Sequence, residues 1–521
     1  MIIDELAAGL RRDPGGPAVI AVTRRGTAVV GFTRGDLADL ADSYAAALHR
    51  RGLRPGQTLG VAVRPGGRAL AILLAARRLG LRVAALDPTV GADVLLARLA
   101  LAAPALVLAD SAAQAAAGWA KPLARRAQLE LPSLAAIGPV ATVGRRLPGC
   151  APPLGHGHGE FPDHSFPDDS VPDNRGDGDA VVIFTSGTTA RPRAVVHTWS
   201  SLDAGMRAVR SIVAPQPGLP VLGGPLFVLV PALLAGAPVA RPARSGRGVV
   251  CQLRALRPQA TYLTPPELRS ALAARARFTG QVWSGSAPVS ATLLSRVKQA
   301  GAAKAWGVYA LSELFPAAVV EAADKSAFDG PGDLAGELVP DVAARVDPSG
   351  QLLLSGPAAC DRYLGERPRQ WVATGDVARL EPGADRSRVV LAGRCKDMIL
   401  RGAQNIYPGL YEPALHVRGV SLAVLVGVPA ADGDERLGAV VELDPGADRD
   451  QVLAALRARF DRMGAGRPDL ILFAAVPLSG RSRKPDRQAA ARLIASAPER
   501  ARIPANGTSW RGPFASRRPS W

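Results

Sequence analysis

Lysine is scarce in this chain of 521 residues: six of its 63 basic side chains, at 121, 298, 304, 325, 396 and 484, against 57 arginines. The formal charge of +18 would suit a nucleic-acid partner, but aromatic residues make up only 5% of the chain and the arginines are dispersed. No run of five or six like charges marks an interaction tail, so no nucleic-acid partner is expected. The four cysteines, at 150, 251, 360 and 395, form no CxxC pair. That excludes a disulfide framework and a zinc ribbon, and predicts a reducing, cytoplasmic setting. Long uninterrupted apolar runs are missing too. The most apolar stretch, 69 to 86, is broken by Arg77, Arg78 and Arg82, so no membrane span is expected. Acidic residues appear early in MIIDELAAGLRRDPGG, which does not read as a signal peptide.

What is present is an alternation. Thr33 is a candidate cap for a helix that runs to Gly52, followed by TLGVAV as strand, GGRALAILLAARRLG as helix, RVAALDP as strand, GADVLLARLALAAP as helix and ALVLAD as strand. The same rhythm resumes from 180 to 320. This predicts an α/β fold with mostly parallel sheets flanked by helices. Short apolar runs broken by Pro, Gly and Asp between 335 and 395 predict a small β subdomain, and strand, helix, strand after 430 predicts a compact α+β unit. Residues 152–179 hold His156, His158 and His164 beside Glu160, Asp163, Asp168 and Asp169, but match no zinc spacing and read as a Pro/Gly-rich mobile loop. Residues 498–521 lack periodicity and read as a disordered tail.

The stretch VVIFTSGTTARPRAVVHT, 181 to 198, carries the most chemistry. A buried strand leads into Thr185, Ser186, Gly187, Thr188 and Thr189, with Arg191 and Arg193 on either side of Pro192. Hydroxyls and backbone N–H groups can wrap phosphate oxygens while guanidinium groups offset their charge, so the loop suits a polyphosphate. The Walker spacing GxxxxGK[ST] is absent.

Six segments, this one first, occur in an order that resembles the adenylate-forming superfamily of acyl-CoA synthetases, luciferases and peptide-synthetase adenylation domains, over residues 30 to 492. The loop is similar to TSG[ST]TGxPKG, with Ala190, Arg193 and Ala194 as departures. WSGSAP resembles GGAPL, which lies against adenine in that family, and places Ser286 and Ala287 there. YALSE resembles YG[MA]TE, implying that Tyr309 stacks on adenine, the Ser312 hydroxyl meets the α-phosphate and Glu313 helps hold Mg²⁺. TGD places Asp376 on the ribose hydroxyls. GRCKDMILRGAQNIYPGLYE is similar to GRxKDxIxxxGxNIxPxEIE, implying that Arg394 contacts ribose, Lys396 is the hinge and Gly402 lies along the phosphopantetheine path. LSGRSRKPDRQ resembles PxTxSGKxxR and puts Lys484 in the catalytic lysine's place.

The resemblance implies a large N-terminal domain, 1–393, and a small mobile C-terminal domain, 394–497. It implies ATP, Mg²⁺ and coenzyme A or phosphopantetheine as cofactors. The implied reaction makes an acyl adenylate from a carboxylic acid with release of pyrophosphate, then transfers the acyl group to a thiol. A carrier protein is a possible partner. Non-thiol outcomes known in the superfamily, namely β-lactone closure, amide formation and nitrite-dependent diazotisation, stay open as the alternative. Segment 219–242 resembles the acid-gate region but holds neither a histidine nor an aspartate, which points to an apolar or aromatic acid. His197 either approaches the acceptor path or is a hydrogen-bonded residue at a helix start.

Overall fold

The computed structural model describes residues 1–87, 92–120, 134–155, 172–185, 193–401, 404–429, 435–460, 463–480, 483–498 and 501–505. The expected alternation is present from the first capped helix onward. Thr33 Oγ1 accepts from the N–H of Asp36 at 3.1 Å while Asp36 accepts from the N–H of Thr33 at 2.8 Å, closing a reciprocal cap on helix Arg34–Arg50. Gly52, at φ 78°, turns the chain after it.

Strands Thr58–Ala62, Arg82–Ala85, Leu106–Asp110, Val140–Val143 and Asp179–Phe184 pair in parallel in a seven-stranded sheet. Ala194–Thr198 and Arg362–Tyr363 extend its edge antiparallel. The stretch that resists a membrane reading is helix Gly67–Leu79, with Leu70 and Ala76 at 0% exposure. Its Arg77 is equally internal: the guanidinium donates to Asp4 at 3.1 and 3.0 Å and lies 5.2 Å from the Trp199 ring. The charge that breaks the apolar run is thus paired inside the core.

A second, thirteen-stranded sheet among the described residues joins two halves. Pro17–Val22, Val239–Ala240, Val221–Leu222, Ala260–Tyr262, Gln281–Ser284 and Lys304–Tyr309 run parallel. From Ala318–Glu321 onward the pairing becomes antiparallel through Asp333–Leu338, Arg388–Arg394, Val372–Glu381, Gln351–Ser355 and Ala343–Val346. The strand-rich region read from sequence is therefore hydrogen-bonded onto the parallel half. This continuity matters for the site, because it brings the 370s and 390s alongside the C-terminal ends of the parallel strands.

After Arg394 a 3₁₀ turn, Cys395–Asp397, leads into a small unit built on Val420–Pro429, Glu435–Leu443 and Leu470–Phe473 with helices Arg449–Phe460 and Arg487–Ser496. Residues expected in an unstructured tail continue this sheet: Ile503–Pro504 pairs antiparallel with Leu470–Ile471, and Ala505 is buried. Proline is tolerated because this is an edge strand. The His-rich part of the 152–179 loop, and residues beyond 505, lie outside the described residues. No helix among the described residues is long and apolar enough to cross a membrane.

Candidate active site

The strands on either side of the expected phosphate loop, Asp179–Phe184 and Ala194–Thr198, pair antiparallel. Phe184 pairs with Ala194, and the Thr185 N–H donates to the Arg193 carbonyl at 3.0 Å, closing the loop's neck. Ser186, Gly187, Thr188 and Thr189 lie outside the described residues, as does Gly402. Arg193 turns its guanidinium over the Tyr363 ring, 5.1 Å from the centroid.

Next to this neck the strand Lys304–Tyr309 ends and the chain enters Ala310–Glu313. The Tyr309 hydroxyl donates to Asp376 Oδ2 at 2.6 Å, and Arg394 Nε donates to Asp376 Oδ1 at 2.7 Å. Asp376 is buried and its own N–H reaches Thr374 Oγ1 at 3.0 Å. Burial, and then the neighbouring Asp376 carboxylate, raise the Tyr309 pKa far above the ordinary phenol value, so this hydroxyl stays a donor. Three residues expected at the nucleoside thus form one bonded cluster, with a carboxylate at its centre.

Ser286 follows strand Gln281–Ser284 at φ 69°, a left-handed conformation that glycine adopts without strain. Its hydroxyl meets the Tyr262 hydroxyl at 2.9 Å, while Ala287 continues the same turn. Tyr262 in turn packs edge-on against Phe227 at 5.7 Å, and Phe227 against Phe315 at 5.4 Å. Apolar, aromatic surroundings flank the nucleoside cluster on this side.

His197 resolves as a fully buried bridge. Its Nε2–H donates to the Ser312 carbonyl at 2.8 Å, so neutral Nδ1 is an acceptor, 3.2 Å from Ser201 Oγ. Of the two readings left open, hydrogen bonding at a helix start is the one realised, and the bond reaches across to the Ser312 segment. Burial lowers the pKa of His197 below 6.5, against the partial opposition of the Ser312 carbonyl; His416 is lowered likewise. The unfolded chain therefore binds protons that the folded chain refuses, and stability falls as pH drops below 6.5. Urea unfolding at pH 7.5 and 5.5 should show this loss, and His197→Asn should remove about half of it.

Lys484 opens a two-residue strand paired with Ser479. Its ammonium reaches solvent but stands in a cleft: desolvation lowers its pKa first, then Arg394 and Lys396 repel it, while Asp376 and Glu313 attract it. Lys396, in the 3₁₀ turn, is exposed. The arrangement brings Lys484, Arg394, Asp376, Lys396 and Glu313 within one electrostatic neighbourhood, although they span four of the six segments.

Glu313 has its peptide carbonyl held by the Cys360 N–H at 2.7 Å and one carboxylate oxygen held by the Tyr363 hydroxyl at 2.9 Å. Among the described residues no cluster of three His, Cys, Asp or Glu forms a dedicated metal cage. A single carboxylate fits Mg²⁺, which takes most of its oxygen ligands from water and substrate phosphates.

The profile of the AMP-binding enzymes matches residues 6–364. The chain belongs to the AMP-binding enzyme family. Among curated relatives, a feruloyl-CoA synthase from Amycolatopsis sp. is 30% identical over 326 residues, 54% of this chain and 64% of that protein. A 2-succinylbenzoate–CoA ligase from Enterococcus faecalis is 27% identical over 330 residues, 56% of this chain and 65% of that protein. The chain thus spans somewhat under two thirds of the length of these relatives. An amide bond synthetase from Marinactinospora thermotolerans superposes with TM-score 0.74 at 23% identity, covering 94% of this chain and 99% of that one. An anthranilate CoA ligase in complex with anthranoyl-AMP gives 0.75 at 17%, covering 95% and 98%. The shared fold extends through the small C-terminal unit, past the end of the family match.

For this AMP-binding enzyme, sequence reasoning missed Tyr363 and the part-buried Arg487. Arg487 sits in helix Arg487–Ser496 and joins Glu412 to Asp397 of the 3₁₀ turn. Tyr363, in CDRYLGERP, carries no signature that would have flagged it.

Proposed function

We propose that this AMP-binding enzyme uses ATP to convert an apolar or aromatic carboxylic acid into its acyl adenylate, then passes the acyl group to the thiol of coenzyme A or of carrier-bound phosphopantetheine. What supports this reading is the bonded cluster of Tyr309, Asp376 and Arg394, with Lys484 close enough to be repelled by Arg394 and attracted by Asp376 and Glu313. In this reading the flexible ammonium of Lys484 offsets charge beside the residues assigned to the nucleoside and the metal.

In the first step the carboxylate oxygen attacks the α-phosphorus, a P–O bond forms, and the bond to the oxygen shared with the β-phosphate breaks, releasing pyrophosphate. Asp376 accepts from ribose hydroxyls, Arg394 holds Asp376 in place, and Tyr309 covers the base. The loop closed by Thr185 and Arg193 holds the outgoing phosphates, Ser286 and Ala287 line the base, and the Ser312 hydroxyl faces the α-phosphate. Lys484 offsets the negative charge gathered between carboxylate and phosphorus. Glu313 would hold Mg²⁺, which supplies charge neutralisation on the phosphates. In the second step the thiol sulfur attacks the acyl carbon and AMP leaves. The small unit, pivoting at Lys396, changes orientation between the steps, and Gly402 belongs to the second.

Pyrophosphate release over a panel of aromatic and aliphatic acids, with and without coenzyme A, tests the reading. Acid-dependent release with thioester formation supports it. Release with an amine but no thioester favours amide formation instead. Glu313→Gln keeps an acceptor for Tyr363 while removing the charge, so it should lower release by about 100-fold at ordinary Mg²⁺ with little change in melting temperature. Full activity in that variant would remove Glu313 from the metal site.

A further inference from the structure

The segment 359–364 touches both halves of the phosphate-binding machinery. On one side it is an edge strand: Tyr363 pairs with Val195 and Arg362 with Val196, the Asp361 N–H donates to the Val196 carbonyl at 3.0 Å, and the Leu364 N–H to the Ala194 carbonyl at 2.8 Å. It is thereby stitched to the strand that leaves the phosphate loop. On the other side Ala359 bridges Leu314, and the Cys360 N–H donates to the Glu313 carbonyl at 2.7 Å. The segment is itself anchored, because Arg362 donates to both oxygens of Asp179 at 2.9 and 2.8 Å.

Tyr363 sits at the centre of this splint. Its ring is 8% exposed, packed with Val195, Cys360 and Val372. Arg193 and Arg369 each hold a guanidinium 5.1 Å from the ring centroid. Its hydroxyl donates to Glu313 Oε1 at 2.9 Å, and no described residue hydrogen-bonds Oε2. A phenol tied to a carboxylate by a charge-assisted bond fixes which oxygen faces outward.

We propose that Tyr363 is a positioning residue: it aims the Glu313 carboxylate at the metal-bound phosphates and couples that aim, through Arg193 on its ring, to the neck of the phosphate loop. This rests on the reading of Glu313 as a Mg²⁺ ligand. The Tyr363 ring and hydroxyl divide the work. The hydroxyl sets the carboxylate rotamer, and the ring sets the Arg193 guanidinium. A long, flexible glutamate side chain without the tether would lose rotamer freedom on each binding event, so the tether acts on metal affinity. Partners that orient a metal ligand in this way alter affinity by about 10- to 100-fold when removed.

The test separates hydroxyl from ring. Mn²⁺ binding in the presence of a non-hydrolysable ATP analogue is followed by electron paramagnetic resonance, and analogue binding without metal by calorimetry. Tyr363→Phe is expected to weaken Mn²⁺ binding about 10-fold while leaving metal-free nucleotide binding and melting temperature close to wild type. Tyr363→Leu is expected to weaken both, since Arg193 loses its ring. Glu313→Gln is the reference. If it loses Mn²⁺ and Tyr363→Phe binds as wild type, the positioning role is overturned and the metal reading stands. Wild-type Mn²⁺ binding in both overturns the metal reading as well. Equal weakening of metal-free and metal-bound nucleotide in Tyr363→Phe would mark a general structural loss and also overturn the proposal.

Discussion

Lys484→Ala is expected to lower acyl-adenylate formation by about two to three orders of magnitude, while thioester formation from a supplied acyl adenylate stays near wild type. The magnitude is that of removing one preorganised charge from a water-poor site, about 10²- to 10³-fold. Two features argue for so large an effect. The lysine stands partly desolvated beside Arg394 and Lys396, which repel it, so an entering phosphate meets a cluster of positive charge. Arg394 cannot replace it, because its Nε is committed to Asp376 at 2.7 Å. The selectivity for one step follows from the proposed pivot, in which Lys484 leaves the cleft before the thiol arrives. Pyrophosphate release and transfer from synthetic adenylate, measured on the same preparation, check this. Normal release in the variant would show that the ammonium does not act at the α-phosphate.

The second large effect concerns the small unit's own integrity. Arg487 is part-buried and donates to both oxygens of Glu412, to Asp397 Oδ2 at 3.2 Å and to the Leu425 carbonyl at 2.8 Å. Desolvation alone would lower its pKa, but Glu412 and Asp397 outweigh burial and raise it, so the charge is held firmly. Arg487→Met would leave two part-buried carboxylates facing each other without a cation. Removing one partner of a fully buried cluster costs about 3–5 kcal/mol, and this part-exposed one should lose somewhat less. Since Asp397 lies in the 3₁₀ turn that starts the small unit, the damage should appear as an early melting transition for that unit, with the large domain's transition unmoved. Calorimetry resolves the two. The triple variant Asp397→Asn, Glu412→Gln, Arg487→Met removes all three charges and should recover most of the loss; a triple variant as unstable as the single one would mean that packing, not charge, is at stake.

How much of this was legible beforehand differs by the kind of signal. Local chemistry was readable: Thr33 with Asp36 makes the cap that the sequence suggested, and the apolar run before Thr185 is the buried strand. The clustering of Asp376, Arg394, Glu313 and Lys484 was implied by motif resemblance; spacing along the chain says nothing about it. Ser286 stood where a glycine is common, and its left-handed φ gives the reason, with the Tyr262 hydroxyl as the serine's partner. What was illegible depends on distant pairing. Tyr363 meets Glu313 fifty residues away because a two-residue strand docks beside Val195 and Val196. Arg487 finds Glu412 across a separation of 75 residues, and Ile503–Pro504 becomes a strand only because Leu470–Ile471 offers an open edge. No window of local sequence carries those facts.

The seam between the large domain and the small unit has a thermodynamic consequence. Away from the 3₁₀ turn and the surroundings of Lys484, two hydrogen-bonded contacts among the described residues cross it: Arg296 to Asp444 at 2.8 Å and Thr292 Oγ1 to the His416 carbonyl at 3.1 Å. The ion pair is partly exposed, worth at most about 1 kcal/mol, and the hydrogen bond adds a similar amount. A bias of roughly 1–2 kcal/mol is a preference of only about 5- to 30-fold. The hydrogen-bonded part of the seam therefore biases the two units only weakly toward this arrangement. A ligand with a tenfold preference for one orientation then governs the equilibrium. Salt shifts it as well, because the guanidinium–carboxylate contact weakens as the Debye length shrinks. Ionic strength thus becomes a dial on how this chain divides its time between its two proposed half-reactions.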